Sequence, residues 1–200
     1  MMSTRRGNIV FLEDVIAKTI ERTRKIIEEN KMDLPDPDRV AVDVGIGAVI
    51  FADLAYKRDS DISFDWDKML DFKGYSGPYL QYSHARICSV LRKYGKDIPG
   101  RCDPELLRLP EEYQIAKKLA IYPDILIKAA DDFEPQFISS FLLELCGLFN
   151  TYYQRYRSPE DRILSSDGGT ARSRVTLTNC VRIVLHSGLK LLGLSAPEMM

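Results

Sequence analysis

The sequence predicts an all-α fold, a helical bundle. Apolar residues recur with a 3.6-residue period along most of the chain, prolines stand at points where such periodic stretches begin, and no segment shows the two-residue alternation of a half-buried strand.

The elements follow in order. Leu12, Val15, Ile16, Ile20 and Ile27 share one side of a first helix, with Asp14/Lys18 and Glu21/Lys25 as i,i+4 pairs in the favoured orientation. Asp36 and Pro37 have the chemistry of an N-cap and a first helical position, and open a second helix through Val40, Val44, Gly47, Phe51 and Leu54. Gly45 and Gly47 cost helix propensity there and point to close packing. Val42, Ile46, Val49 and Ile50 widen its apolar stripe almost to the full circumference, so burial on several sides is expected.

From Lys57 to Gly74 the periodicity fails, and aspartates, the single Trp66 and a glycine read as an irregular connection. Pro78 then starts a helix to about Tyr94. Asp103-Pro104 and Glu134-Pro135 repeat an acid-then-proline start, and Pro123 begins or kinks a further helix. Ile138, Phe141, Leu142, Leu145, Phe149, Tyr152 and Tyr156 form a long amphipathic face, SPEDRILSSDGGT reads as a loop, and a last helix is expected over 171–192, stopped by Gly193 with Pro197 beyond.

Composition narrows the function classes. With 45% hydrophobic and 28% charged residues, the 200-residue chain can bury one good core. Its apolar runs are far short of the roughly 20 residues that span a bilayer, so a cytoplasmic protein with no membrane partner is expected. Cys88, Cys102, Cys146 and Cys180 are scattered without a CxxC pair and there are only two histidines, so no metal site is expected and the thiols read as reduced. A net charge of −1 alone argues against a strongly basic nucleic-acid binder, and no DNA partner is expected. The charge is zoned, however: residues 73–102 carry six basic side chains against one acidic, while 32–72 carry four against ten. Such zoning can build a basic face on a nearly neutral protein.

No Ser/His/Asp grouping, HExxH or complete phosphate loop stands out as an enzyme constellation. The helix GPYLQYSHARICSVLRKY says more. At 100° per residue Leu80, His84, Ile87, Leu91 and Tyr94 lie on one face, with His84 expected as a core histidine, while Tyr79, Tyr82, Arg86 and Lys93 share an arc well away from it. Aromatic rings stack on unpaired bases and nearby cations neutralise phosphates, the chemistry of single-stranded or looped RNA; tyrosines packed on a neighbouring helix would give the same pattern.

MSTRRGNIVFLEDVI, VGIGAVIFADL, FDWDKMLDFKGYSGPYLQYSHARI and VRIVLHSGLKLLGLSAPEMM, in this order and spacing, resemble the C-terminal part of an arginyl-tRNA synthetase, over essentially the whole chain. The resemblance implies two parts. Residues 1–72 would be the helical tail of a truncated class I, Rossmann-type catalytic domain, and residues 73–200 the all-helical anticodon-binding domain. It also implies that MMSTRRG is a form of the KMSKS loop that closes over ATP, bound with Mg. Ser3, Thr4, Arg5 and Arg6 would be its contacts, supplying positive charge where the leaving pyrophosphate becomes negative. Met1 and Thr4 stand where that signature has lysines.

The His-Ile-Gly-His motif, the nucleotide-binding sheet and the arginine pocket of the family do not occur in these residues. The chain is therefore expected to be a fragment that does not aminoacylate by itself and holds no cofactor of its own. For RNA, the resemblance points to Tyr153, with Arg157 one turn on, and to Met200 at the anticodon loop. Tyr79, Gln81, Tyr82 and Arg86 in the PYLQYxHxR block would face the tRNA body or the domain junction. Expected partners are arginine tRNA and a separately encoded catalytic half. The alternative is a free-standing RNA-binding or protein-interaction module derived from a synthetase.

Overall fold

A computed structural model of the chain describes residues 11–60, 65–156, 158–165 and 167–200. Among them the chain forms eight α-helices and one 3-10 turn, and no strand. The helix α1 (Leu12–Glu29) buries Val15, Thr19, Thr23 and Ile27, every fourth residue. Two of these are threonines, tolerated inside because their hydroxyls donate to the carbonyls of Val15 (3.1 Å) and Thr19 (2.8 Å) one turn back. Leu12, expected on the buried side, is exposed at the helix start. Glu21 and Lys25 pair at 2.7 Å, whereas Lys18 stands 4.5 Å from the Trp66 ring centroid.

The helix α2 (Pro37–Leu54) starts as its sequence says, with the Asp36 carboxylate accepting from the Arg39 amide and Pro37 in the first turn. Its glycines are required by close approach: a Cβ on Gly45 would lie 2.8 Å from the Ile20 backbone nitrogen of α1. Val42, Ile46 and Ile50 are half-buried, and Ile50 and Leu54 turn to the main core beside Phe51.

A single turn of helix, α3 (Trp66–Met69), capped by Asp65, interrupts the connection expected to be irregular. Ser76 then caps α4 (Gly77–Tyr94), and Gly95 ends it with φ 64°. Asp103-Pro104 starts only the 3-10 turn Pro104–Leu106. The next helix, α5 (Pro110–Ala120), opens at Pro110, a start the sequence reading did not single out. Pro123 lies in the first turn of α6 (Tyr122–Asp131), and α7 (Gln136–Arg155) follows Pro135. The last helix, α8 (Gly168–Leu191), begins three residues before its expected start because Asp167 accepts from the Thr170 amide at 2.7 Å.

α4, α7 and α8 form the centre, α5 and α6 close one side, and α2, with α1 packed on it, lies against α4. Leu80, Ile87, Leu142, Leu145, Phe149, Val175, Leu185 and Leu189 are buried there, each side chain contributing about 1.5–3 kcal/mol. α7 and α8 approach so closely that a Cβ on Gly188 would lie 2.7 Å from Leu142 Cδ2.

One charge cluster is sealed inside this bundle. The Arg174 Nε–H donates to Glu112 Oε1 at 2.6 Å, and Tyr152 donates to the same oxygen at 3.0 Å. Glu112 Oε2 accepts from the Leu109 amide, and an Arg174 Nη1–H donates to the carbonyls of Glu160 and Arg162. The ion pair thus ties α8 to the start of α5 and holds down the loop before α8. No helix among the described residues is long and apolar enough to cross a membrane, and none of their His, Cys, Asp and Glu residues form a group that could hold a metal ion. All four cysteines are free; burial pushes the Cys146 thiol up to about 12.

Candidate nucleic-acid interface

Three pieces of the chain meet on one face: the middle of α4, the end of α7 and the last residues of the chain. Three and four residues apart on α4, Tyr79, Tyr82 and Arg86 form a stripe along the side away from Leu80 and Ile87. On α7, Asn150 and Tyr153 are likewise one turn apart. The Arg86 guanidinium lies 4.7 Å from the Tyr82 ring centroid and 5.6 Å from that of Tyr153, so the cation sits between two aromatic faces. Tyr153 stacks on Phe149, with 6.3 Å between centroids and 21° between planes, which fixes the ring while leaving it 38% exposed.

Asn150 organises the rest. Its Oδ1 accepts from Arg86 at 2.6 Å, and its Nδ2 donates at 3.0 Å to both the Tyr79 hydroxyl and Ser83 Oγ. Burial pushes the Tyr79 phenol above its ordinary pKa. Among the described residues Arg86 has a hydrogen-bond partner that is neutral and forms no ion pair, although Asp33 lines the same depression.

The chain end is carried to this face by α4. Gln81 Nε2 donates to the carbonyls of Asp43 (3.2 Å) and Ser195 (3.0 Å), joining α2, α4 and the tail. Gly47 makes room, since a Cβ there would lie 2.9 Å from the Gln81 carboxamide. One turn on, His84 Nδ1–H donates to the Pro197 carbonyl at 2.9 Å, and two turns further Arg92 donates to the Glu198 carbonyl at 3.0 Å. Three turns of α4 therefore grip Ser195, Pro197 and Glu198. Met199 and Met200 arrive at a depression lined also by Tyr82, Arg86 and Tyr153. The His84 imidazole is held below its ordinary pKa, first by burial and then by the neighbouring His186 and Arg182.

Of the residues singled out in the sequence, Tyr79, Tyr82, Arg86, Tyr153 and Met200 come together on this face. Gln81 does not: it is fully buried and its amide is committed to the α2, α4 and tail junction, so it has no surface to offer an RNA. Ser3, Thr4, Arg5, Arg6 and Arg157 lie outside the described residues. Sequence reading missed Asn150, the residue that locks the face, and Arg92. A polar residue one turn before Tyr153 on an apolar helix was the available signal for Asn150.

The part of the bundle that gathers these tyrosines, Arg86 and the chain end falls within residues 80–200, which match the family model of the DALR anticodon binding domain. The chain belongs to that family and corresponds to the C-terminal region of arginyl-tRNA synthetases. Residues 1–66 match the model of the class I (R) tRNA synthetase catalytic domain. An arginine–tRNA ligase of Halothermothrix orenii is 41% identical over 199 residues, covering 100% of this chain and 34% of that protein. One from Limosilactobacillus fermentum is 40% identical with the same coverage. The arginyl-tRNA synthetase of Thermus thermophilus superposes with a TM-score of 0.89 at 32% identity, over 100% of this chain and 33% of that one. The chain thus spans about a third of the length of the curated relatives it matches.

Proposed function

We propose that the chain is the tRNA-binding portion of an arginine–tRNA ligase, recognising the anticodon loop of arginine tRNA through Tyr82, Arg86, Tyr153 and Met200. The observation that carries this reading is Arg86: a cation wedged between two tyrosine rings, hydrogen-bonded to an amide and in no ion pair among the described residues. Rings with exposed faces stack on splayed bases, and a guanidinium outside any ion pair attracts phosphate. Met200 adds apolar contact beside the rings.

In the same reading residues 1–72 are the C-terminal remnant of the catalytic domain and residues 73–200 the anticodon-binding domain. Ser3, Thr4, Arg5 and Arg6 would serve a complete enzyme by supplying donors and positive charge to the phosphates of ATP, with Mg, and that enzyme would work in the cytoplasm with a catalytic half as partner. These 200 residues hold too little of the adenylate-forming machinery to act alone. Purified chain is expected to give no arginine-dependent exchange between ATP and pyrophosphate above a protein-free control; exchange by the chain itself would contradict the assignment.

Binding tests the RNA face. The chain should bind arginine tRNA in a salt-sensitive way, and Tyr153→Ala should cost about 1–3 kcal/mol if the ring stacks on a base. Much of that loss should vanish on a tRNA with a replaced anticodon. Unchanged binding by a folded Tyr153→Ala protein would remove the ring from the interface.

A further inference from the structure

We infer that Gln81 is a positioning residue: with Asp43 of α2 it clamps the tail at Ser195 and so sets where Met199 and Met200 stand against the tyrosines of the interface. This rests on the RNA reading and gives that site a support away from its contact surface. Leu194 is anchored in the core, and beyond it the tail's hydrogen bonds among the described residues all join it to α2 or α4. Gln81, His84 and Arg92 meet the carbonyls of Ser195, Pro197 and Glu198, so the grip is on the backbone and fixes the path of the tail. Ser195 adds one side-chain tie, its hydroxyl donating to Asp43 Oδ1 at 3.1 Å. Asp43 is held in turn by Arg39, at 3.2 Å.

Stability alone does not account for a glutamine here. Gln81 Oε1 is buried with no hydrogen-bond partner among the described residues, and such an atom costs stability that an apolar side chain of the same size would not. Two helices also give up side chains around it. A Cβ on Gly47 would lie 2.9 Å from Gln81 Nε2, and one on Gly77 would lie 2.7 Å from the Gly47 carbonyl oxygen. What the amide supplies is direction: its N–H groups reach carbonyls on two separate elements, Asp43 on α2 at 3.2 Å and Ser195 on the tail at 3.0 Å. On α4 the clamping residues 81, 84 and 92 form one stripe, and Tyr79, Tyr82 and Arg86 form another beside it. The helix α2 falls within residues 1–66, the part matched to the catalytic domain model, so a helix from that part braces the anticodon face.

The test uses the full 200-residue chain with two probes, arginine tRNA and the same tRNA with a replaced anticodon. Gln81→Met keeps the length of the side chain and removes both N–H donors. It should bind arginine tRNA roughly fivefold more weakly and lose much less on the replaced anticodon, because it acts only through the chain end. The double variant M199A/M200A should show a loss of similar size, and adding Gln81→Met to it should weaken binding no further. Ser195→Ala, at an exposed position, should melt like the parent and lose roughly twofold with the same anticodon dependence. A folded Gln81→Met protein with full affinity, an equal loss on both tRNAs, or a loss that adds to that of M199A/M200A would overturn the inference while leaving the Tyr153 site intact. Full affinity in M199A/M200A would also overturn it. Should Gln81→Met not fold, Ser195→Ala decides: the anticodon-dependent loss upholds the inference and full affinity overturns it. If the parent chain binds the two tRNAs equally, the anticodon reading itself falls and this inference falls with it.

Discussion

Two arginine centres flank the same stretch of α7 and are built from similar residues. Tyr152 points inward to Glu112 and Arg174, and Asn150 and Tyr153 point outward to Arg86. The inner arginine is buried against a carboxylate, and the outer one is half-exposed against a neutral amide. An arginine out of water needs a counter-charge and a filled set of acceptors, which Glu112 and two backbone carbonyls supply. In the proposed reading Arg86 meets phosphate, and a neutral partner such as Asn150 holds the guanidinium without cancelling its charge. The difference between the two centres is one of charge compensation.

Altering the inner centre should have the largest effect on stability. Arg174→Ala leaves Glu112 buried and unpaired and frees the loop before α8, and should destabilise the fold by about 3–5 kcal/mol in chemical denaturation. A loss below about 1 kcal/mol would mean that this centre is no more structural than the outer one.

A smaller effect is expected from the histidine that delivers the chain end to the outer centre. Because burial holds the folded His84 below its ordinary pKa, the unfolded chain takes up the proton first as pH falls. The stability associated with neutral His84 is therefore present above about pH 6.5 and is lost progressively as pH falls toward the folded pKa. The facing groups are His186 and Arg182 of α8, Glu198 of the tail and Cys88 of α4 itself. Melting curves between about pH 7.5 and 5.5 should show a steeper decline for the parent than for His84→Gln. Parallel declines would mean that burial does not hold the His84 ring neutral in the folded chain.

Much of the bundle was legible because its signals are local. Asp36, Pro37, Pro78 and Gly193 mark helix ends through their own backbone chemistry, and the apolar spacing of α7 needs no partner to be read. Tyr82 and Arg86 were legible as one stripe through the α4 arc, and Tyr153, singled out by the family resemblance, lies beside them in the structure. Gln81 and Asn150 were not, because the fate of a polar side chain is set by partners far away in sequence: Ser195 for one, Tyr79, Ser83 and Arg86 for the other. The Glu112 and Arg174 pair was hidden for the same reason, and so was the burial of Thr19 and Thr23. Asp103-Pro104 misled by being a true start signal for a single turn only.

The contrast between the two centres is tested most directly by giving the outer arginine the counter-charge that the inner one has. Asn150→Asp keeps the size of the side chain and an acceptor for Arg86, while the Tyr79 and Ser83 hydroxyls can donate to the carboxylate. The variant should melt within about 1 kcal/mol of the parent, since a partly exposed ion pair adds little. It should bind arginine tRNA roughly fivefold more weakly, about 1 kcal/mol, with a salt slope shallower by about 1. Full affinity and an unchanged salt slope in a folded Asn150→Asp protein would show that the charge of Arg86 is not what the RNA meets.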